Sequence, residues 1–286
     1  MQLNYDIVDA LPIVLLPHHR VHFWIVGCGG TGSFLVQLIA RIARTLITTG
    51  KSVKITLVDP DHVERANTIR QCFCEAEIGH NKAQTLAARY SLAWNLDIEA
   101  ISEPFQAHWA SDHYGTLTIL LGCVDRASGR RSLHEALDYN RYQTAPRIWW
   151  IDAGNGDRYG QVLVGSSLST QAKDYEFHEL GCLSLPSPGI QSPELLVDKP
   201  EELEDHSLSC EQFALLNAQS LTINVHAAVA VADLALDLSV GKLRRFSVYF
   251  DQSSGTMQSN YITQEAVTRV ITDAQNQVFD SERKEN

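Results

Sequence analysis

Asp59, Asp61, Asn67, Arg70, Gln71 and Lys82 place two carboxylates, two amides, a guanidinium and an ammonium in one short stretch of the chain. An acid that ends a strand, as Asp59 does after the alternating run Lys54 to Val58, can hydrogen-bond a ribose hydroxyl. The amide, guanidinium and ammonium just beyond it can meet a triphosphate, the guanidinium as a bidentate fork and the ammonium as a point charge. Ahead of them lies Gly27-Cys28-Gly29-Gly30-Thr31-Gly32. Glycine lets backbone N–H groups approach an anion closely, and the N-terminus of a following helix adds partial positive charge. Gly27, Gly29, Gly30 and Gly32 therefore form a candidate phosphate cradle. A solvated polar loop accounts for any one of the later residues but not for their order behind the glycines.

These groups need a scaffold, and hydrophobic periodicity supplies one. Phe23 to Val26 is an apolar strand, and Ser33 to Ile42 repeats apolar residues at helical spacing after the glycine turn. Glu75 to Asn95 reads as a helix, Asp97 to Pro104 as a third strand, and His108 to Tyr114 as a short helix. Thr116 to Cys123 is a continuous apolar run, expected of a central parallel strand. It delivers Asp125 to the C-terminal end of the sheet, where open α/β folds bind ligands. Arg126 to Asn140 follows as a helix, then Arg147 to Asp152 and Tyr159 to Val164 as strands. Cys210 to Leu243 is a helix with Ala214, Leu215, Val225, Ala228, Val229 and Leu236 on its apolar face, and Arg245 to Phe250 with Thr256 to Ile262 reads as a hairpin. The alternation predicts an α/β, doubly wound, Rossmann-like sheet. Residues 184–209 carry Pro186, Pro188, Pro193, Pro200 and an acidic run, and are expected to form a long mobile loop. Residues 1–276 are expected to form a single domain and 277–286 a polar, frayed tail.

The net charge of −11 and the absence of any Lys/Arg block argue against a nucleic-acid surface. No stretch approaches membrane-spanning length, and the six scattered cysteines read as reduced thiols in a cytoplasmic protein.

The segments GCGGTG, VDPDHVERANTIRQ and IGHNKA resemble the ThiF/MoeB/ubiquitin-activating superfamily. The resemblance extends in order over roughly residues 20–250, and its C-terminal half is similar to the branch found in the ParB-related, ThiF-related (PRTRC) bacterial cassette. It implies a mostly parallel sheet that continues into antiparallel strands, with 184–209 as a crossover loop embracing a carrier's tail; a disordered insertion is the other reading of that loop. It also implies ATP-dependent adenylation of the C-terminal carboxylate of a ubiquitin-like or sulfur-carrier protein, with release of pyrophosphate. Asp59 would hold the ribose, Asp61 and Gln71 would line the nucleotide site, Asn67 and Arg70 would hold its phosphate end, and Lys82 would meet the developing pyrophosphate charge.

The family's strand-end aspartate, which holds magnesium, matches Asp125, although Arg126 stands where asparagine is usual. The rival reading of Asp125 is a helix N-cap. Members that take the activated carrier onto a thiol make Cys182 and Cys210 candidates, against a reading of each as a buried packing residue. The paired CxxC motifs that hold a structural zinc in many members have no counterpart, so no zinc is expected. The family implies a homodimer, and with Arg20 the only arginine before the glycine turn, the sequence leaves open whether an arginine is donated across subunits. Two other functions fit parts of the pattern: an NAD-dependent oxidoreductase, which leaves Asn67, Arg70 and Lys82 unexplained, and a non-catalytic scaffold that binds nucleotide and carrier.

Overall fold

Apolar residues on both sides of Phe23–Val26 demand a strand covered on both faces, and β1 (Arg20–Val26) is that strand. The computed structural model describes residues 6–111, 114–141, 145–198 and 221–284. β1 pairs in parallel with β2 (Ser52–Val58) on one side and, on the other, with β4 (Thr116–Gly122), in which every residue is buried. β3 (Ile98–Ile101) lies outside β2, and β5 (Ile148–Asn155) lies outside β4. From β5 the sheet turns antiparallel through β6 (Tyr159–Gly165). A small separate pair, β7 (Phe177–His178) and β8 (Gly181–Cys182), follows, and β9 (Arg245–Asp251) and β10 (Thr256–Tyr261) complete the large sheet. The order β10-β9-β6-β5-β4-β1-β2-β3 is the doubly wound arrangement with an antiparallel extension. Its strand order reverses between β1 and β4, which is where such sheets open a ligand crevice.

The helices are α1 (Asp6–Asp9), α2 (Gly30–Thr48), α3 (Asn67–Arg70), α4 (Lys82–Trp94), α5 (Ala127–Ala136), α6 (Pro188–Gln191), α7 (Ile223–Ser239) and α8 (Gln264–Lys284). β1 alternates between two cores. Val21, Phe23 and Ile25 face the cluster built with α2, α4 and α7, while Trp24 and Val26 face Leu133, Ile148 and Trp150 beneath α5. Small residues such as Ala227 and Ala228 bring α7 close to α2 and the sheet. No helix among the described residues is long and apolar enough to cross a membrane.

Several elements differ from expectation. The helix expected from Glu75 starts at Lys82, because Gly79 takes a left-handed φ of +88° and Asn81 caps the helix by accepting Gln84 N–H at 3.0 Å. Glu75–Glu77 forms one 3₁₀ turn before that break. Of the expected Cys210–Leu243 helix, residues 210–220 lie outside the described residues, and Val225 and Val229 are exposed rather than on the buried face. The expected tail is helical as far as Lys284, as part of α8, which buries Ala266, Val267, Ile271 and Ala274. The first part of the loop expected to be mobile is packed: Leu185, Pro186 and Ser187 are buried and α6 lies against β6. The remainder, 199–209, lies outside the described residues.

A strap at residues 10–14 ties the sheet's far end to the chain's beginning. Leu11 N–H donates to Ile262 O at 2.9 Å, Ile13 N–H to Leu243 O at 3.0 Å, and Val14 N–H to Cys182 O at 2.9 Å.

Ser187 caps α6 by accepting Ile190 N–H, and its hydroxyl sits 3.1 Å from His134 Nδ1. That geometry suits a neutral imidazole accepting the hydroxyl proton, and burial lowers the His134 pKa from 6.5. Below pH 6.5 the unfolded chain takes up a proton that the folded chain resists, so stability falls as pH drops through that value toward the lowered folded one. His134→Asn keeps an acceptor for Ser187 and removes the titration. Urea unfolding between pH 7 and 5 should show a flatter loss for the variant; an unchanged slope would assign the acid sensitivity elsewhere.

Candidate functional site

The site grows from the end of β1. Gly27 turns the chain with φ +90°, and a Cβ there would stand 2.5 Å from the Cys123 carbonyl oxygen. A Cβ on Gly32 would stand 1.9 Å from Gly27 O. These two glycines are required by backbone contact. Gly29 differs: its Cβ would find only Gln71 Nε2, at 3.8 Å. Gly29 is the N-cap of the 19-residue α2, and no side chain among the described residues caps that terminus, which leaves the helix's first N–H groups available to an anion.

Asp59, only 5% exposed, binds this turn to the end of β2. Its Oδ2 accepts Cys28 N–H at 2.6 Å and its Oδ1 accepts Asp61 N–H at 2.8 Å. Burial raises its pKa, while those two N–H groups and Lys82 oppose the rise. Four lone-pair positions on a carboxylate leave room for a ribose hydroxyl as well. Lys82, 8% exposed at the start of α4, donates to Asp61 Oδ2 at 3.1 Å. Asn81 Nδ2 holds the same corner by donating to the carbonyls of Asp59 and Asp61 at 2.9 and 3.0 Å.

The motif's middle residues are placed unevenly. Asn67 is buried and spends its Oδ1 on Glu64 N–H at 2.8 Å. The Arg70 side chain is half-buried and makes no hydrogen bond or ion pair among the described residues. Gln71 reaches the glycine turn, and its buried Oε1 accepts no hydrogen bond there. A buried acceptor without a donor beside an anion cradle is costly in an ordinary fold and fits a site that a ligand completes.

Asp125 arrives from the other side. The β4 end is fixed to the turn by Cys123 N–H donating to Val26 O at 2.8 Å and by the close approach of Gly27. The Asp125 side chain is exposed, and its carboxylate accepts no hydrogen bond among the described residues. The helix-capping alternative is not realised: the N-cap of α5 is Arg126, which caps with no side-chain bond. No cluster of three or more His, Cys, Asp or Glu among the described residues could hold a metal alone. A single free carboxylate fits magnesium in one respect: this hard cation commonly takes one or two protein carboxylates and completes its shell with phosphate and water.

The thiol expectation is corrected at Cys182. That residue is buried, its S–H donates to Ser184 O at 2.9 Å, and burial pushes its pKa up to about 11. Such a thiol is a packing group rather than a nucleophile. Cys210 lies outside the described residues.

Sequence reading missed a set of polar side chains here. Asn224, from the first turn of α7, accepts Asn155 Nδ2–H at 3.1 Å and the Thr31 hydroxyl at 3.4 Å. Its Oδ1 and Nδ2 lie 2.6 and 3.0 Å from where a Gly30 Cβ would be. Its only sequence signal is one amide in an otherwise apolar helix start. Asn224→Asp should place a carboxylate against the open α2 terminus, raising the melting temperature of the unliganded protein slightly and weakening triphosphate binding about tenfold. Thermal melting and calorimetry check the two signs, and unchanged affinity would put Asn224 outside the anion's reach. The second missed pair is Arg130 and Asp152, buried 3.2 Å apart behind Asp125.

Comparison with known proteins adds three findings. The ThiF family model matches residues 17–185, more than half of the chain. The human ubiquitin-like modifier-activating enzyme 7 is 27% identical over 159 residues, which cover 54% of this chain and 15% of that protein. Crystal structures of E. coli MccB resemble the fold. The complex with MccA-N7isoASN gives TM-score 0.52 at 20% identity, covering 84% of this chain and 64% of that one. The ATP complex gives 0.50 at 18% identity, with 84% and 64% covered. The chain thus spans less than two thirds of the length of these relatives.

Proposed function

The chain belongs to the ThiF family, and from that premise we propose that it uses ATP to adenylate the C-terminal carboxylate of a ubiquitin-like or sulfur-carrier protein. The observation that carries this reading is the Asp59 carboxylate binding the glycine turn at the uncapped start of α2, with Gln71 beside that turn; Lys82 on Asp61, and Asp125 two residues past the β4 end that touches the turn, support it. The fold's likeness to a protein crystallised with ATP supports it.

In this mechanism Asp59 accepts a ribose hydroxyl, and the first turn of α2 donates to the phosphates. Asn67 and Arg70 hold the phosphate end, with Arg70 forming a fork on its oxygens. Magnesium, when bound, would be held by Asp125 and would neutralise charge on the phosphate oxygens. The carrier's carboxylate, already ionised at neutral pH, needs no base. Its oxygen bonds to the α-phosphorus as the bond from that phosphorus to the bridging oxygen breaks, and pyrophosphate leaves with the electron pair. Lys82, held by Asp61 at the rim, meets that leaving charge. Positioning and charge neutralisation supply most of the rate.

We take the protein to work in the cytoplasm as a homodimer, with the exposed Leu221, Val225, Val229 and Val240 of the α7 region as the candidate contact. The carrier is sought in the PRTRC cassette, in its ubiquitin-like member. The test is exchange of labelled pyrophosphate into ATP. Exchange that depends on the carrier and on its terminal carboxylate is expected, whereas binding of NAD in place of ATP would overturn the reading.

A further inference from the structure

We propose that Arg130 and Asp152 are positioning residues that aim Asp125 at the magnesium-bound nucleotide; the inference rests on the adenylation reading above. Asp152, on β5, is 1% exposed, and Arg130, in the first turns of α5, is almost as deeply buried. Arg130 Nε donates to both carboxylate oxygens of Asp152, at 3.3 and 3.2 Å. Its Nη1 reaches past the pair and donates to the backbone carbonyl of Asp125 at 3.1 Å.

A buried ion pair is a poor source of stability, since desolvating two charges offsets most of their attraction. Here the third hydrogen bond gives the pair a purpose. The loop from Cys123 to Arg126 is anchored at its start by Cys123 N–H on Val26 O, and Arg130 N–H makes a long 3.4 Å bond to Arg126 O at the opening of α5. Between these anchors the Arg130 guanidinium holds the Asp125 peptide by its carbonyl. A side chain whose own carboxylate has no partner among the described residues takes its direction from that peptide. The strand beneath is shaped for the pair as well: a Cβ on Gly122 would stand 2.8 Å from Asp152 Oδ1 and 2.7 Å from Trp150 Nε1. Glycine at 122 leaves the carboxylate its place.

Calorimetric titration of ATP with and without magnesium separates this role from a merely structural one. Wild type should gain affinity from magnesium, and Asp125→Ala should lose that gain. The double variant Arg130→Met/Asp152→Leu exchanges the ion pair for apolar groups, an exchange that buried pairs often tolerate without loss of stability. It should keep the wild-type melting temperature and metal-free ATP affinity while losing about tenfold or more of the magnesium-dependent gain. Arg130→Lys, which keeps the charge beside Asp152 but not the planar fork, should lose part of the gain and serves if the double variant does not fold. A double variant, or failing that Arg130→Lys, that retains the full gain would overturn the positioning role while leaving the adenylation reading intact. Absence of any gain in wild type, or a gain untouched by Asp125→Ala, would overturn both.

Discussion

Gly32→Ala is expected to unfold the nucleotide site, whereas Gly29→Ala is expected to leave the fold as it is. The two residues belong to the same glycine turn, but their surroundings differ. A methyl group on Gly32 meets the Gly27 carbonyl oxygen at 1.9 Å, a backbone atom that can yield only if α2 moves away from β1. That helix packs against α7, α4 and the sheet, so displacement disturbs the main core. The loss should be about 3 kcal/mol or more, which for a chain of this size lowers the melting temperature by roughly 6–12 °C. ATP binding should vanish with it. On Gly29 the methyl finds only the end of the Gln71 side chain. Melting curves of both variants check the contrast, and equal stability would show that the turn is softer than its contacts imply.

Asp125→Ala is expected to have the opposite profile, a silent change for the fold and a severe one for the chemistry. The side chain is exposed and its carboxylate accepts nothing among the described residues, so truncation removes no stabilising bond. On the adenylation reading it also removes the carboxylate proposed to hold magnesium on the phosphates. Losing charge stabilisation of that kind costs about 100- to 1,000-fold in rate. Carrier-dependent pyrophosphate exchange should therefore fall by that factor with the melting temperature unchanged. An exchange rate within about twofold of wild type, roughly 10–15% of the expected free-energy effect, would exclude Asp125 from the site.

Much of this site is local in sequence, and that part was legible. The strand, the glycine turn and α2 follow one another without interruption, and Asp59 ends the next strand, so periodicity and residue type were enough. Contacts made across the chain left no such trace. Thr31 meets Asn224 at a separation of 193 residues, and nothing near either residue announces the other. Arg130 carries no local sign of burial, because that burial depends on Asp152 of β5, 22 residues away. Secondary structure failed where patterns were ambiguous. α7 is apolar along most of its length, and little more than His226 and Asp233 marks the side on which Val225 and Val229 face outward. The polar run 277–286 reads as a tail, although it continues the helix α8 as far as Lys284, and the earlier turns of that helix carry a buried stripe of Ala266, Val267, Ile271 and Ala274. Gly79 is a visible helix breaker, but the apolar repeat running past it masked the true start at Lys82.

The strap at residues 10–14 has a consequence in time. Its hydrogen-bond partners are Cys182, Leu243 and Ile262, all far downstream. During synthesis at about 5–20 residues per second, the strap emerges roughly 12–50 s before Ile262 exists to receive Leu11. A segment made early is therefore among the last to be satisfied. For that interval Ile13, buried in the finished protein, stands in water, and the nascent chain is a natural client for chaperones that shield apolar segments.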